Sequence, residues 1–139
     1  MKIRDVMTTD VDVINPAAMV AQASRRMRDE DIGALPVGEG DKLVGMVTDR
    51  DIVVRAIALG KDPAKTPVRE AMSDQVLYCF EDQSTEEVSA NMGENQVRRL
   101  PVVNRDKRLV GIVALGDLSS RGATKEAGSA LGEISEPGH

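Results

Sequence analysis

The chain has 139 residues, which suits one domain of ordinary size or two half-size units that share a core. Acidic residues outnumber basic ones by 23 to 18, and the resulting net charge of -5 disfavours a surface whose main task is to bind DNA or RNA. Aromatic residues make up 1% of the chain and the only histidine is His139, which argues against base-stacking platforms, histidine-dependent catalysis and Cys/His zinc sites.

The chain contains one cysteine, Cys79, which excludes an internal disulfide, and its place in a short predicted strand indicates a small core residue. The N-terminus runs directly into polar sequence without the apolar region of a signal peptide. The most apolar stretch, 52–59, is interrupted by Arg55 and is too short to span a membrane. These features predict a soluble, cytoplasmic protein.

Hydrophobic spacing predicts the element order β-α-β-β-α twice along the chain. In the first half, apolar residues predict a strand near 11–14, a helix over 17–30, strands over 34–38 and 42–47, and a helix over 49–59. The second half repeats this order with a strand at 76–79, a helix at 84–95, strands at 99–103 and 108–113, and a helix at 115–121.

The two halves are copies of one another. A shift of 65 residues places the Leu-Pro-Val segment 35–37 on 100–102, and a shift of 66 places 43–47 on 109–113. We therefore predict repeats over 1–62 and 63–121, separated by the glycine- and proline-punctuated stretch 60–67, and a mobile C-terminal tail over 122–139.

Each repeat of about sixty residues buries too little surface to be stable alone. The predicted fold class is therefore α/β (α+β), with two β-α-β-β-α repeats packed about a pseudo-two-fold axis. Such an axis would leave two related clefts between the repeats.

This arrangement resembles tandem CBS domains, a family named after cystathionine β-synthase, whose repeats pair as a Bateman module. The resemblance covers about residues 1–121, and the short format of the chain is similar to that of small bacterial twin-CBS proteins of the hypoxic-response type. Its most specific element is the family pattern G-h-h-[TS]-x-x-D, which stands at 45–51. In the second repeat the pattern stands at 111–117, where Ala114 replaces the hydroxyl residue and Asp117 remains.

The motif suits recognition of a ribose phosphate. An ionised Asp51 can accept hydrogen bonds from a ribose diol, and the Thr48 hydroxyl can donate to a phosphate oxygen. The alternative is that Thr48 and Asp51 only begin a helix, as a capping box does. Because Asp117 persists without a threonine partner, a reciprocal capping box does not account for it, and this favours the binding interpretation. The Thr48 hydroxyl favours the first repeat as the tighter AMP or ATP site, and the alternative is that a stronger charge-assisted contact from Arg99 reverses this ranking.

Further residues are implicated by the resemblance. In CBS modules, residues just before Leu-Pro-Val commonly face the cleft and contact nucleotide phosphate, which implies Arg98 for the Thr48/Asp51 cleft and Arg99 for the Asp117 cleft. The alternative is that these cations only complement a helix C-terminus. Gly33 stands at the position of Arg98 in the first repeat, and Arg50 lies within its motif. The resemblance also implies an apolar slot for adenine, although side chains of this kind more often belong to the core; the residues are Ile32, Met46, Val97 and Ile112.

The resemblance implies a non-enzymatic regulatory module that binds AMP, ADP or ATP in the clefts between its two repeats and transmits occupancy to a partner, with no catalytic or metal site. A structural or protein-interaction dimer without a small-molecule ligand is the alternative. Apolar residues on more than one face of the predicted helix 49–59 predict a homodimer, and CBS modules commonly pair in this way. The regulated partner is not identified by the sequence.

Overall fold

A computed structural model describes residues 1–121, and the tail predicted to be mobile, 122–139, lies outside the described residues. The mixed α/β class predicted from the sequence is confirmed. The helices are α1 (Val20–Glu30), α2 (Asp49–Ile52), α3 (Thr85–Asn95) and α4 (Leu115–Arg121). The strands are β1 (Ala34–Glu39), β2 (Lys42–Thr48), β3 (Cys79–Phe80), β4 (Arg99–Val103) and β5 (Leu109–Ala114).

The chain forms two compact units that do not coincide with the sequence repeats. The central unit comprises residues 12–76, and the terminal unit comprises residues 1–11 together with residues 77–121. The first stretch of each predicted repeat, 1–62 or 63–121, therefore packs in the unit that holds the rest of the other repeat. We call these two stretches, 1–11 and 66–76, the lead segments.

In the central unit, β1 and β2 pair in antiparallel fashion, with a register shift between Val37 and Gly38. The strand predicted near 11–14 is reduced to one bridge, in which Ile14 pairs with Val37. The chain turns immediately afterwards, because the Asn15 side chain accepts the backbone N–H of Ala17 at 2.8 Å. This turn also delays the start of α1, which begins at residue 20 rather than 17.

The second helix of the central unit changes character along its length. After α2 the chain continues as a π-helical segment, Val53–Ile57, in which the N–H of Ala58 donates to the carbonyl of Val53 at 2.8 Å. The helix predicted over 49–59 is therefore real but is not a regular α-helix throughout. Ile52 and Ala56 pack into the core of this unit.

In the terminal unit, β4 lies between β3 and β5, parallel to the first and antiparallel to the second. The strand predicted at 76–79 is confined to the two residues of β3. The lead segment 1–11 completes this unit, because Ile3 and Val6 are fully buried in its core. The remaining buried members of that core are Cys79, Val88, Met92, Leu100, Val102, Val113, Leu115 and Leu118.

The lead segments dock in the same way in both units. In the terminal unit Thr8 and Ile112 exchange backbone hydrogen bonds of 2.8 and 2.9 Å. In the central unit Met46 and Ser73 exchange bonds of 2.9 and 2.8 Å. Each lead segment thus adds a short backbone pairing to the strand that carries the family motif.

The motif glycines allow this docking. A Cβ atom on Gly45 would lie 2.7 Å from the carbonyl oxygen of Ser73, and a Cβ on Gly111 would lie 2.9 Å from that of Thr8. Real Cβ atoms essentially never approach other atoms so closely. The glycine of each motif is therefore required by a backbone approach within its own unit.

Candidate functional site

The residues predicted to bind a ligand lie at two equivalent strand-to-helix junctions, one in each unit. The central junction is where β2 passes into α2, beside the entry to β1, and it contains Ile32, Gly33, Met46, Thr48, Arg50 and Asp51. The terminal junction is where β5 passes into α4, beside the entry to β4, and it contains Val97, Arg98, Arg99, Ile112 and Asp117.

At the central junction, Thr48 and Asp51 form a capping box. The Oδ2 atom of Asp51 accepts the backbone N–H of Thr48 at 3.0 Å, and the Thr48 hydroxyl oxygen accepts the backbone N–H of Asp51 at 3.0 Å. Within the described part of the chain, no hydrogen bond uses Oδ1 of Asp51 or the hydroxyl hydrogen of Thr48. At the start of α2, Oδ1 of Asp51 therefore remains available as an acceptor and the Thr48 hydroxyl as a donor.

At the terminal junction, Asp117 also has a structural partner. Its Oδ2 atom accepts the backbone N–H of Ala114 at 2.9 Å. No reciprocal capping box forms here, because residue 114 has no hydroxyl, but half of the box does form, and Asp117 therefore has a capping role that was not predicted. As with Asp51, the hydrogen bonds among residues 1–121 leave Oδ1 unused.

In each unit a backbone hydrogen bond holds the residue before one strand beside the first residue of a helix: β1 and α2 in the central unit, β4 and α4 in the terminal unit. The N–H of Asp49 donates to the carbonyl of Gly33 at 3.0 Å, and the N–H of Leu115 donates to the carbonyl of Arg98 at 3.1 Å. Gly33 is thus adjacent to the Thr48 motif, and Arg98 occupies the corresponding place beside Asp117.

The three arginines of the two junctions, Arg50, Arg98 and Arg99, are exposed. Their guanidinium groups donate no hydrogen bond to any residue from 1 to 121. They therefore present their charge to solvent without a local carboxylate partner.

The four apolar candidates are half-buried within their own units. Ile32 and Val97 pack against the cores of the central and terminal units respectively. Met46 and Ile112 lie on β2 and β5, with their backbones paired to the lead segments. Part of each side chain thus contributes to packing, as the core interpretation predicts, and part remains accessible.

Sequence reasoning missed Asp49. Its Oδ2 atom lies 3.2 Å from the position that a Cβ on Gly33 would occupy, so the carboxylate lies over the entry to β1. The signal was present in the alignment of the repeats, because an acidic residue at 49 corresponds to Leu115.

The perturbed titratable groups lie away from both junctions. Burial raises the pKa of the Cys79 thiol to about 12. The hydrogen-bonded guanidinium of Arg105, 2.7 Å from the Asp82 carboxylate, lowers the pKa of Asp82. The same guanidinium lies 4.2 Å from the centre of the Phe80 ring. This cluster joins the turn after β3 to the β4–β5 hairpin and is structural.

Within residues 1–121, no group of three or more His, Cys, Asp or Glu side chains is arranged to hold a metal ion. None of the described helices is long and apolar enough to cross a membrane.

The family model for the CBS domain matches residues 3–57 and 68–123. Protein YlbB of Bacillus subtilis is 45% identical over 97% of this chain and 92% of its own length. Hypoxic response protein 1 of Mycobacterium tuberculosis is 41% identical over 84% of this chain and 81% of its own length.

Two solved structures are also similar. Hypoxic Response Protein I, solved with two coordinated zinc ions, superposes with a TM-score of 0.78 at 38% identity, over 87% of this chain and 98% of that one. The CBS domain pair of protein MJ0100, solved with 5-methylthioadenosine and S-adenosyl-L-methionine, has a TM-score of 0.73 at 27% identity, over 90% and 98% of the two chains. The chain therefore belongs to the CBS domain family and carries two CBS domains, as its internal duplication predicts.

Proposed function

We propose that the chain is a non-enzymatic regulatory module that binds an adenine-containing nucleotide, AMP, ADP or ATP, at its junctions and passes the state of occupancy to a partner protein. The observation that carries this proposal is the geometry of the two aspartates. In both Asp51 and Asp117, Oδ2 accepts a backbone N–H, and Oδ1 is available to accept hydrogen bonds from ribose hydroxyls.

The surrounding groups suit the rest of such a ligand. The Thr48 hydroxyl still has a hydrogen to donate to phosphate, and Arg98 and Arg99 supply charged donors. The accessible parts of the half-buried apolar side chains suit an adenine ring. The MJ0100 pair, solved with two adenosine compounds, supports an adenosine-type ligand for this chain.

The test compares AMP with 2′-deoxy-AMP by calorimetry. If the aspartates accept the ribose hydroxyls, removal of one hydroxyl weakens binding by about tenfold or more, since hydrogen bonds to charged groups contribute about 1.5–3 kcal/mol. In the double variant Asp51→Asn, Asp117→Asn, the difference in affinity between AMP and 2′-deoxy-AMP should shrink. The amide oxygen still accepts the capping N–H, but the second carboxylate oxygen, which would accept the ribose hydroxyl, is replaced by an NH₂ group.

The matched control is Asp74→Asn, which neutralises an exposed carboxylate outside both junctions. It should leave the preference for AMP intact. Equal affinity of the wild-type protein for AMP and 2′-deoxy-AMP would contradict the ribose role. Absence of AMP, ADP and ATP binding at millimolar concentration would contradict the proposed ligand class.

The second candidate, an interaction dimer, is favoured by one exposed apolar surface. The side chains of Val53, Val54, Ile57 and Leu59 are 56%, 48%, 49% and 67% exposed on and just after the π-helical segment. Single exposed apolar residues are ordinary, but four within seven positions indicate a contact surface. We propose that this surface pairs two copies of the chain.

Sedimentation velocity tests the homodimer. The wild-type protein should sediment as a dimer at tens of micromolar, and the variant Val54→Glu, Ile57→Glu as a monomer, because burying two carboxylates is strongly unfavourable. Leu77→Glu, which alters an exposed leucine of the terminal unit, is the control and should remain dimeric. A monomeric wild-type protein would contradict this proposal and leave the nucleotide proposal unaffected.

A further inference from the structure

Each lead segment carries a methionine immediately before the residue that pairs with its motif strand, which is β5 in the terminal unit and β2 in the central unit. Met7 precedes Thr8, and Met72 precedes Ser73. The shift of 65 residues that aligns the two repeats places Met7 on Met72. Both units therefore have a thioether at the same point of the docking.

Both sulfur atoms pack on the glycine of a family motif. The Met7 sulfur lies 2.7 Å from the point that a Cβ on Gly111 would occupy, and the Met72 sulfur lies 2.9 Å from the corresponding point at Gly45. Because these distances are shorter than those that real Cβ atoms show, only glycine leaves room for the sulfur. The sulfur fills the space in which a side chain would begin, and no room remains between it and the glycine for another atom.

Each methionine is packed on one side and accessible on the other. Met7 contacts the core of the terminal unit and Met72 that of the central unit, but both side chains are only half-buried. The residues just before them, Val6 and Ala71, are fully buried. A small reagent can therefore reach the two thioethers while the rest of each lead segment stays in place.

The group that would ordinarily react first with an oxidant is protected in this chain. Oxidation of cysteine depends on an accessible thiolate. The only cysteine, Cys79, is buried, and burial raises the pKa of its thiol to about 12. At neutral pH the accessible methionines are therefore the sulfur groups that an oxidant meets.

We propose that Met7 and Met72 are sites of reversible oxidation by peroxides, and that their sulfoxides release the end of each lead segment from its motif strand. In the reaction, a lone pair of the sulfur attacks one oxygen of hydrogen peroxide, an S–O bond forms, the O–O bond breaks, and the second oxygen leaves as water after proton transfer. The thioether loses two electrons and the peroxide gains them. The inference is independent of the proposed nucleotide binding.

The sulfoxide does not fit the place of the thioether. It is polar and carries an additional oxygen, whereas the space beside Gly45 or Gly111 is already filled and the rest of the side chain contacts an apolar core. Burying a polar group without a hydrogen-bond partner is unfavourable, so the backbone pairing next to the sulfoxide should open. Ile3 and Val68, which are fully buried earlier in the lead segments, should hold, and the release should be local.

Hydrogen peroxide added to the folded protein, followed by peptide mass spectrometry, tests whether the sites react. Sulfoxides should form at Met7 and Met72 well before they form at Met27 and Met92, which are buried and become accessible only when the core opens. The exposed Met1 should react at least as quickly and serves as the measure of an unhindered thioether.

Amide hydrogen exchange tests whether the lead segments are released. Four backbone N–H groups donate the hydrogen bonds between lead segments and motif strands, namely those of Thr8, Met46, Ser73 and Ile112. Their exchange should accelerate by about tenfold or more in the oxidised protein. The N–H of Val68, which donates to the Ala18 carbonyl at 2.7 Å, should keep its protection. Methionine sulfoxide reductases of both epimer specificities should restore slow exchange.

The double variant Met7→Leu, Met72→Leu conserves side-chain volume and has no thioether at either position. Peroxide should lower the midpoint of thermal unfolding of the wild-type protein by about 4 °C or more and leave that of the variant unchanged. Met19→Leu is the matched control, because it removes a half-buried methionine that does not lie over a motif glycine. It should remain as sensitive to peroxide as the wild-type protein.

Three results would each overturn the proposal. The first is oxidation of Met7 and Met72 only as slowly as the buried Met27 and Met92. The second is formation of both sulfoxides with no change in amide exchange or thermal midpoint, and this result is decisive on the wild-type chain even if leucine disturbs folding. The third is an equal loss of thermal stability in peroxide by the double variant, which would assign the effect to other methionines.

Discussion

Asp117 accepts the backbone N–H of Ala114 at 2.9 Å, as Asp51 accepts that of Thr48 at 3.0 Å. The two carboxylates therefore hold the first turns of α4 and α2, whatever they bind in addition. A variant that removes either carboxylate changes the stability of the protein as well as its binding surface. Asparagine, which keeps the acceptor oxygen, separates the two effects.

Asp117→Ala should lower the free energy of unfolding by about 1 kcal/mol, because a typical hydrogen bond of this kind contributes about that much. Asp117→Asn should lose less, since its amide oxygen still accepts the Ala114 N–H. Urea denaturation followed by circular dichroism measures both. Equal stability of the alanine variant and the wild-type protein would show that the capping bond contributes nothing.

Gly45→Ala and Gly111→Ala should each destabilise the protein by about 1–3 kcal/mol, the usual range for an added group in a packed site. The new Cβ would press on the backbone of a lead segment, at 2.7 Å from Ser73 or 2.9 Å from Thr8. Thermal denaturation of the two variants measures the effect.

The control for these variants is Gly116→Ala. A Cβ there meets no atom of the described chain within 4 Å, and alanine favours a helix over glycine by about 1 kcal/mol. This variant should be as stable as the wild-type protein or more so. A stable Gly45→Ala variant would contradict the close docking of the lead segment.

Cys79 should be unreactive in the native protein. Its thiol is buried beside the carbonyl of Pro101 and its pKa is raised to about 12, so the thiolate is scarce at neutral pH. A thiol reagent should react stoichiometrically only after denaturation in urea. Rapid labelling of the folded protein would show that this part of the core opens readily.

The ion pair of Asp82 and Arg105 should contribute a pH-dependent stability. Because the pKa of Asp82 is lowered in the folded protein, its contribution is present above the ordinary pKa of aspartate and is lost as the pH falls through the lowered value. Asp82→Asn should therefore be less stable than the wild-type protein near neutral pH, and the difference should vanish in strong acid.

The matched control for this pair is Asp106→Asn, at the tip of the same hairpin. Urea denaturation across the acid range should show no comparable change in its stability relative to the wild-type protein. If the Asp82→Asn difference persists unchanged in strong acid, the ion pair is not its source.

The regular elements and the duplication were accessible from the sequence because apolar periodicity reports burial within one element. Strands β4 and β5 and helix α3 are found within one residue of the predicted bounds. The prediction of a strand near 11–14 was wrong except for one bridge, because the alternation of apolar residues does not show whether a neighbouring strand is available for pairing. The π-helical segment was not predictable, since its residues have the same apolar spacing as an α-helix.

The site was predictable as a set of residues and not as a set of contacts. The motif alignment identified Thr48, Asp51 and Asp117, but the bond from Asp117 to the backbone depends on the turn geometry after β5. The position of Asp49 over Gly33 likewise follows from the pairing of strand entry and helix start, which no single segment encodes. The unit into which each lead segment packs is likewise decided by contacts between residues far apart in the sequence.

The lead segment 1–11 has a consequence for the order in which the protein is made. Residues 12–76 contain all of the central unit, so its internal contacts can form while the ribosome is still translating the segments that follow. Ile3 and Val6 are synthesised before this unit, but their core partners, such as Leu100 and Val113, are synthesised after it. During that interval these two apolar side chains lack the core that buries them in the folded protein.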